Sequence, residues 1–483
     1  MSETHSRRSD GAASETEHLS NDQPPGPRGL PFLGSTLSVA RDPLGFVESA
    51  REYGDVVAYE AFGTEFAAVF DPAIVETILV SSADEFRKGE FETGFGELIA
   101  PDGVAFTEGE RWRRQRQLLQ SSFTPDRIRS YADDMAAEAS ALADQWDDGE
   151  TVALGDDLSR YTLRVLTRTL FDLELDEGRA ATVRRATRAL STYAAPQQFA
   201  VQSVLPSWLS TPTEREYEAA MADLESLVTE LVAARRGGAG AADAAGDDLL
   251  SVLARAEYSD GSRLSSEEVR DQLVTFLFAG HETTATALTV TCWLLAGEPD
   301  VRNDLERELA TVLGDRDPQF ADLPDLAYTE AVVREAMRLY PPVVALYREP
   351  LEATMLGGYR VPAGTTLQLS TYGIHRDDRW WADPGAFRPE RWLADESENG
   401  NEDGGRTIAS DTDRPEYAYF PFGGGPRHCL GMRFAMMELK LALATIARGV
   451  EFERVTERLE PSVEITLDPG DVDVRVRKRS AGL

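Results

Sequence analysis

Two residue types are nearly missing from these 483 residues: cysteine, present only as Cys292 and Cys429, and lysine, present only as Lys88, Lys440 and Lys478. Two cysteines with no CxxC or CxxCH spacing exclude a disulfide framework. A long uncharged apolar run is also missing. The longest apolar stretch, near 272–296, is broken by His281 and Glu282, so no span reads as a transmembrane helix. Met1 to Gln23 is polar and lacks the apolar centre of a signal peptide. These absences predict a soluble cytoplasmic protein without a membrane anchor.

What replaces lysine is acid and arginine. The chain has 84 Asp and Glu against 49 Lys and Arg, a formal charge of −35, and a pI of about 4.5. Phosphate would be repelled over most of such a surface, which excludes a generic binder of nucleic acid or anionic membrane. Disorder is excluded too, because 42% hydrophobic residues supply a large core. Short carboxylates bring charge and hydration with little apolar stem, whereas lysine brings a long one. The balance predicts an enzyme that works at multimolar salt, as in the cytosol of an extreme halophile. The alternative is an ordinary acidic protein encoded by an arginine-rich genome.

Along the chain, residues 1–23 read as a disordered acidic tail and Pro24-Pro25-Gly26-Pro27 as a stiff lead-in. Residues 55–70 suggest a hairpin around Gly63. From about 110 to 236 the pattern is helical, broken near Pro125, Gly149, Gly178, Pro196 and Pro206. A Gly/Ala loop is expected over 236–248. Ser265-Ser-Glu-Glu268 reads as a capping box opening a helix that runs to about Ala296, roughly 45–50 Å long at 1.5 Å per residue. Further helices are expected at about 299–313, 328–340 and 430–448. Strands are expected over 351–369 with a turn at Gly357-Gly358, an acidic surface loop at 394–415, and a C-terminal hairpin turning at 468–471. No linker separates two domains, so 24–483 reads as one mainly α domain with a small β region.

The chemistry concentrates in Phe422-Gly-Gly-Gly-Pro-Arg-His-Cys-Leu-Gly431. One cysteine lies in a glycine-rich loop just before a helix. Backbone N–H groups, a helix N-terminus and Arg427 all favour an ionised sulfur there. Cys429 is thus set up as an anion, either a nucleophile or a metal ligand. A structural cysteine would sit on an apolar periodic face, as Cys292 does.

The spacing Phe422-x-x-Gly425-x-Arg427-x-Cys429-x-Gly431 resembles the haem-binding loop of the cytochrome P-450 family. Its partners follow the family's order. Glu335-Ala-Met-Arg338 resembles the ExxR helix, and Phe387-Arg-Pro-Glu-Arg391-Trp the segment downstream of it. Ala279-Gly280-His281-Glu282-Thr283-Thr284 resembles the oxygen-binding groove of the long central helix, and Trp112-x-x-x-Arg116 the WxxxR helix. The resemblance covers about residue 24 to the end. It implies the prism-like fold, with haem b between the long central helix and the loop that leads into the 430–448 helix, and Cys429 as the axial thiolate.

Residue roles follow from that resemblance. Glu335 and Arg338 share a helix face, and Arg391 would satisfy the remaining carboxylate lone pairs, giving a structural triad. Trp112, Arg116, Arg348 and Arg427 would hold the haem propionates, with Phe422, Gly425 and Gly431 shaping the loop. Ala279 and Gly280 would let a flat cofactor approach the helix backbone. Read alone, Glu282 fits the solvated face of an amphipathic helix. Beside the Cys loop, Glu282 and Thr283 read as a proton-delivery pair, with Thr284 a lesser candidate and His281 structural. Arg111, Arg113 and Arg114 fit either a docking patch for an acidic electron carrier or local charge balance.

The implied reaction is insertion of one oxygen atom of O2 into a C–H bond. Only 54 residues follow Cys429, so electrons are expected from separate proteins, a ferredoxin and its reductase. Rival readings are a haem-thiolate peroxygenase or isomerase, and a haem carrier or sensor. Phe91, Phe95, Leu98, Ile99 and Phe106, with residues of about 190–232, predict a lipophilic pocket. The alternative is a loop packed on its own hydrophobes.

Overall fold

In 154–170 the side chains of Leu154, Leu158, Tyr161, Val165 and Thr169 recur every three to four residues, and all are buried. That spacing places them on one helix face. The same logic produces the helices that frame the site: α1 (Gly89–Ile99), α2 (Gly109–Gln120), α3 (Ala132–Gln145), α4 (Leu154–Leu170), α5 (Glu177–Tyr193), α6 (Pro212–Gly237), α7 (Ser266–Gly297), α8 (Ala327–Leu339) and α9 (Met432–Gly449). The computed structural model describes residues 23–202, 210–237, 248–258, 261–394, 406–409 and 413–479. Residues 1–22 of the tail expected at 1–23, the break at Pro206 and most of the loops expected at 236–248 and 394–415 lie outside those residues.

Helix α7 follows its sequence signals closely. Ser265 Oγ accepts from Glu268 N at 3.1 Å, and Glu268 Oε2 accepts from Ser265 N at 3.0 Å, so the capping box is formed. The helix stops at Gly297, before Glu298-Pro299. Its 32 residues span about 48 Å. Most of its side chains are buried all round, because α4 lies on one side and α8 and α9 on others. One set of buried apolar side chains runs from Ala100 to Val476 through these helices.

The larger sheet holds β1 (Val56–Ala61), β2 (Thr64–Val69), β3 (Phe86–Arg87), β4 (Leu346–Pro350) and β5 (Thr366–Leu369), in the order β1-β2-β5-β4-β3. The β1–β2 hairpin turns at Phe62 and Gly63, both with positive φ, as the Gly63 signal predicts. β2 pairs with β5 in parallel, Phe66 opposite Thr366, and the other pairs are antiparallel. The Pro-rich lead-in lies against β1, where Ala58 N donates to Pro25 O at 2.8 Å. Strands Thr354–Leu356 and Tyr359–Val361 flank Gly357-Gly358 as expected.

The C-terminus differs from the sequence reading. The hairpin is formed by Ser462–Val463 and Leu467–Asp468 and turns at Glu464–Thr466. Asp468 to Gly470 instead leads into Asp473–Lys478, which pairs with Val450–Arg454 and Thr151–Ala153. The Pro-Gly signal marks a chain reversal but carries no information about which distant strands pair across it.

Candidate active site

The Cys429 loop is folded by its glycines. Gly425 has φ +62°, and a Cβ there would meet the carbonyl oxygen of Leu79 at 1.8 Å. At Gly424 a Cβ would meet the Tyr417 ring at 2.4 Å. Only bare backbone lets the loop lie this close to its neighbours. Cys429 N donates to Phe422 O at 2.9 Å, closing the loop two residues before Gly431 caps α9.

Cys429 has exposed surface, whereas Cys292 is buried on α7. The protein around it is the largest influence on the Cys429 thiol and, by desolvation, pushes it up. The Gly431 N–H and the Arg116 guanidinium act in the opposite sense and favour the thiolate. The cation beside the sulfur is therefore Arg116, from α2. Arg427, expected there from its place in the loop, turns away to Thr107 O at 2.9 Å and over the Trp112 ring at 4.4 Å. Burial pushes Cys292 up to about 12, which leaves it an inert core thiol.

Behind the loop, Glu335 and Arg338 of α8 are fully buried. Glu335 accepts from Arg338 at 2.8 and 2.9 Å, Arg391 Nε at 3.0 Å, Trp392 Nε1 at 3.0 Å and Arg388 N at 3.0 Å. Arg338 also donates to the carbonyls of His375 and Pro384 at 2.8 Å and of Ala386 at 3.1 Å. His375 Nε2 accepts from Phe420 N at 3.0 Å, two residues before the loop. The triad thus reaches the loop through His375. Burial and the Arg338 charge push this histidine down to about 3, so it stays neutral and accepts that bond. Nothing in the sequence motifs marks His375, because its partners are backbone groups on other elements.

In front of the loop, positive charge accumulates. Arg348 is buried, 3.6 Å from Glu92. Arg427 lies 3.9 Å from Glu108. Arg116 donates to His428 O at 3.1 Å. Burial, then the Arg348 charge, pulls Arg427 down to about 10, and Arg116 adds to the effect. Lys88 belongs to the same group. It is buried, bonded to Glu92, and lowered by burial and by Arg348 and Arg427. Sequence reasoning missed Lys88, although a buried role is one reason to keep a lysine in a chain with three. Set against Glu92 and Glu108, these four cations leave an excess of two positive charges.

On α7, Thr275, Phe278, Ala279, Glu282 and Thr283 share one face and line an apolar cavity of about 360 Å³. Phe91, Phe95, Ile99 and Phe106 line it as expected, with Ala194, Pro196 and Phe199 from the 190–232 region. Leu98 packs into the main core instead. Glu92 joins the two regions, lying near Arg348 and on the cavity wall. The Thr283 hydroxyl donates to Ala279 O at 2.8 Å, leaving its lone pairs free to accept. The bare side of Gly280 faces α4. A Cβ there would meet Leu166 Cδ1 at 2.8 Å, so the missing side chain lets α4 pack on α7. Ala279 is the small residue on the cavity side. Thr284 is buried and donates to Gly280 O, and buried His281 faces Leu277 O.

The arginines flanking Trp112 are largely engaged within the chain. Arg111 bridges Asp102 at 2.7 Å and Glu268 at 3.1 Å. Arg114 lies over the Tyr258 ring and donates to Ser262. Arg113 is exposed, 3.8 Å from Glu110. Local charge balance accounts for Arg111, while Arg113 stays exposed.

The fold and the loop define a haem-thiolate oxygenase, and comparison with known proteins agrees. The chain belongs to the cytochrome P-450 family, whose model matches residues 24–470. It is 34% identical over 422 residues to the cyclooctat-9-en-7-ol 5-monooxygenase of Streptomyces melanosporofaciens, covering 87% of each chain. It is 32% identical over 420 residues to the pentalenene oxygenase of Streptomyces avermitilis, covering 87% of this chain and 89% of that one. A cyanobacterial cytochrome P-450 with retinoic acid bound superposes with a TM-score of 0.80 at 25% identity, covering 95% of this chain and 99% of that one. The protein is a cytochrome P-450 monooxygenase that uses haem with cysteine thiolate ligation, O2, an organic substrate and a redox partner. The residues present suit that cofactor. A local excess of positive charge suits a group carrying two propionates, and Cys429, one of only two cysteines, has exposed surface beside Arg116. No helix among the described residues is long and apolar enough to cross a membrane.

Proposed function

We propose that this enzyme hydroxylates a compact lipophilic substrate held between α1, α7 and the C-terminal hairpin, with residues 24–483 acting as one haem domain. The observation that carries this reading is the single path from Cys429 through Arg116, Arg427 and Arg348 to Glu92 and the cavity that Thr283 lines. Cys429 would supply the axial thiolate. Arg116, Arg348 and Arg427, with Trp112 and Lys88, would hold the two carboxylates. Phe422, Gly425 and Gly431 keep the thiolate loop in place, and Glu335, Arg338 and Arg391 support it from behind. Ala279 leaves room on the α7 wall for the flat ring.

The haem, when bound, supplies the activation of O2 with two electrons from a donor. The chain's own part is to exclude water and manage protons. Aromatic walls from Phe66, Phe91, Phe95, Phe106 and Phe278 keep the cavity dry. Glu282, pushed up to about 8 by burial first, holds a proton at neutral pH. The Thr283 hydroxyl beside it can accept that proton while donating its own hydrogen.

The relatives named for cyclooctat-9-en-7-ol and pentalenene support a cyclic hydrocarbon skeleton as the substrate class. A cavity of about 360 Å³ favours a small one. The acidic, lysine-poor surface supports a haloarchaeal, high-salt setting and an acidic ferredoxin as donor. The test is the absorption spectrum of the reduced protein with carbon monoxide, followed by titration with cyclic lipophiles. A thiolate-type spectrum lost in Cys429→His, with a substrate-induced spin shift, is expected. A histidine-type spectrum in the unmutated protein would reject the assignment.

A further inference from the structure

Behind the apolar cavity lies a second, polar cleft of about 630 Å³, walled by α4, α5, α7 and the C-terminal hairpin. Three residues line both spaces: Glu282, Glu464 and Thr466. Glu282 comes from the middle of α7. Glu464 and Thr466 come from the turn of the hairpin, where Glu464 N donates to Thr466 O at 3.0 Å. The wall between the apolar space and the polar one therefore carries two carboxyl groups from elements far apart in sequence. Asp468 continues the line along the polar cleft.

The electrostatics of this wall follow from its neighbours. Burial pushes Glu282 up first, and the charges of Glu464 and Asp468 push it further, to about 8. Glu464 is pushed up to about 7, by burial and then by Asp468. On α5, Arg188 and Ser191 act the other way on Glu282. Arg188 is exposed and pairs with Asp156 of α4 at 3.1 Å, so its effect is shared. Arg184 is held by Glu177 at 2.9 Å. On α7, His281 is pushed down to about 4 by burial and stays neutral. Asp471 and Asp473 lie along the same cleft beyond the hairpin. A group that titrates near ambient pH both takes and gives protons readily, and a polar cleft of this size has room for bridging water.

We propose that this cleft is the proton inlet of the monooxygenase, and that Asp468 and Glu464 pass protons from its water to Glu282, which delivers them to the Thr283 hydroxyl. The proposal rests on the reading of Glu282 and Thr283 as the proton-handling pair. In each transfer a proton leaves a Glu464 carboxyl oxygen for a Glu282 carboxylate oxygen, and Glu464 is reprotonated from the cleft through Asp468. No electrons move in these steps. Glu464 acts through Glu282 and is a positioning and relay group.

The test uses the holoenzyme with an electron-transfer system. In Glu464→Gln, the share of electrons recovered as product should fall roughly tenfold. Its pH profile should lose the step near 7, the H2O/D2O rate ratio should rise, and Glu464→Asp should restore most of the loss. A second readout needs no turnover. The raised carboxyls keep protons in the folded state that the unfolded chain releases. Stability therefore falls as pH rises from the ordinary carboxylate range through 7 to 8. Glu464→Gln removes part of that loss, so its melting temperature should gain on the wild type as pH rises from 5 to 9. Unchanged coupling and isotope effect in Glu464→Gln, with Thr283→Ala uncoupled, would overturn the inlet and leave the acid–alcohol pair standing. A melting difference that does not vary with pH would also overturn it. Unchanged coupling in Thr283→Ala and Glu282→Gln as well would overturn the underlying reading and the inlet together.

Discussion

Glu335 shows how far a buried charge depends on its surroundings. Its two oxygens take five hydrogen bonds from Arg338, Arg391, Trp392 and the backbone of Arg388. Glu335→Ala leaves two guanidinium groups without their carboxylate, a change that costs about 3–5 kcal/mol for a buried pair. Low haem content and an earlier denaturation midpoint are expected. A variant with wild-type haem content and midpoint would contradict the support role. At Thr283, replacement by Ala keeps the cavity wall but removes the hydroxyl. Electrons should then appear as peroxide, measured against product formed, and full coupling would reject the assignment. Arg348→Ala and Lys88→Ala each remove one cation from the cluster. Each should speed transfer of haem to an excess of apomyoglobin, and a rate equal to wild type would place the residue outside the propionate site.

Among the elements, α7 was the most legible. A local signal at each end, the capping box and Gly-Glu-Pro, fixed its limits, because caps depend only on neighbouring residues. The face assignments within it were less legible. Gly280 lies beside Ala279 in sequence, yet one packs on α4 and the other lines the cavity. Gly280→Ala should destabilise the fold by about 1–3 kcal/mol through overpacking against Leu166. In a Leu166→Ala background the same substitution should cost much less, a coupling that denaturant melts of the four proteins will measure. Equal costs in both backgrounds would mean the two residues are not in contact. The hairpin at 462–468 was misread for the opposite reason. Its pairing depends on strands at 151–153 and 450–454 claiming the last strand, which no local turn signal encodes.

For the whole molecule, the charge of −35 acts on stability more than on chemistry. All three lysines are tied down: Lys88 on Glu92, Lys440 on Leu323 O and Glu330, and Lys478 on Ala143 O. Surface cations are arginines, many of them paired across elements, as Arg185 is with Glu216 and Asp223. Such exposed pairs contribute little each, so self-repulsion of the acidic excess dominates in dilute buffer. Salt shortens its range to about 3 Å at 1 M. The melting temperature should therefore rise steeply with KCl up to molar concentration. Full stability and activity in dilute buffer would remove the high-salt reading.

The sequence by itself determined the family, the cofactor, the long helix and the acidic surface. Each rests on residues close together in the chain: a ten-residue loop, an i, i+3 pair, a cap, or bulk composition. Tertiary structure decided what depends on distant segments meeting. It chose Arg116 over Arg427 as the cation beside Cys429, and it brought Lys88 into the cationic cluster. It put His375 between the triad and the loop, and it set Glu464 opposite Glu282. A carboxyl or guanidinium acquires its behaviour from burial and from charges a few ångströms away, and those neighbours are assigned only when the chain has folded.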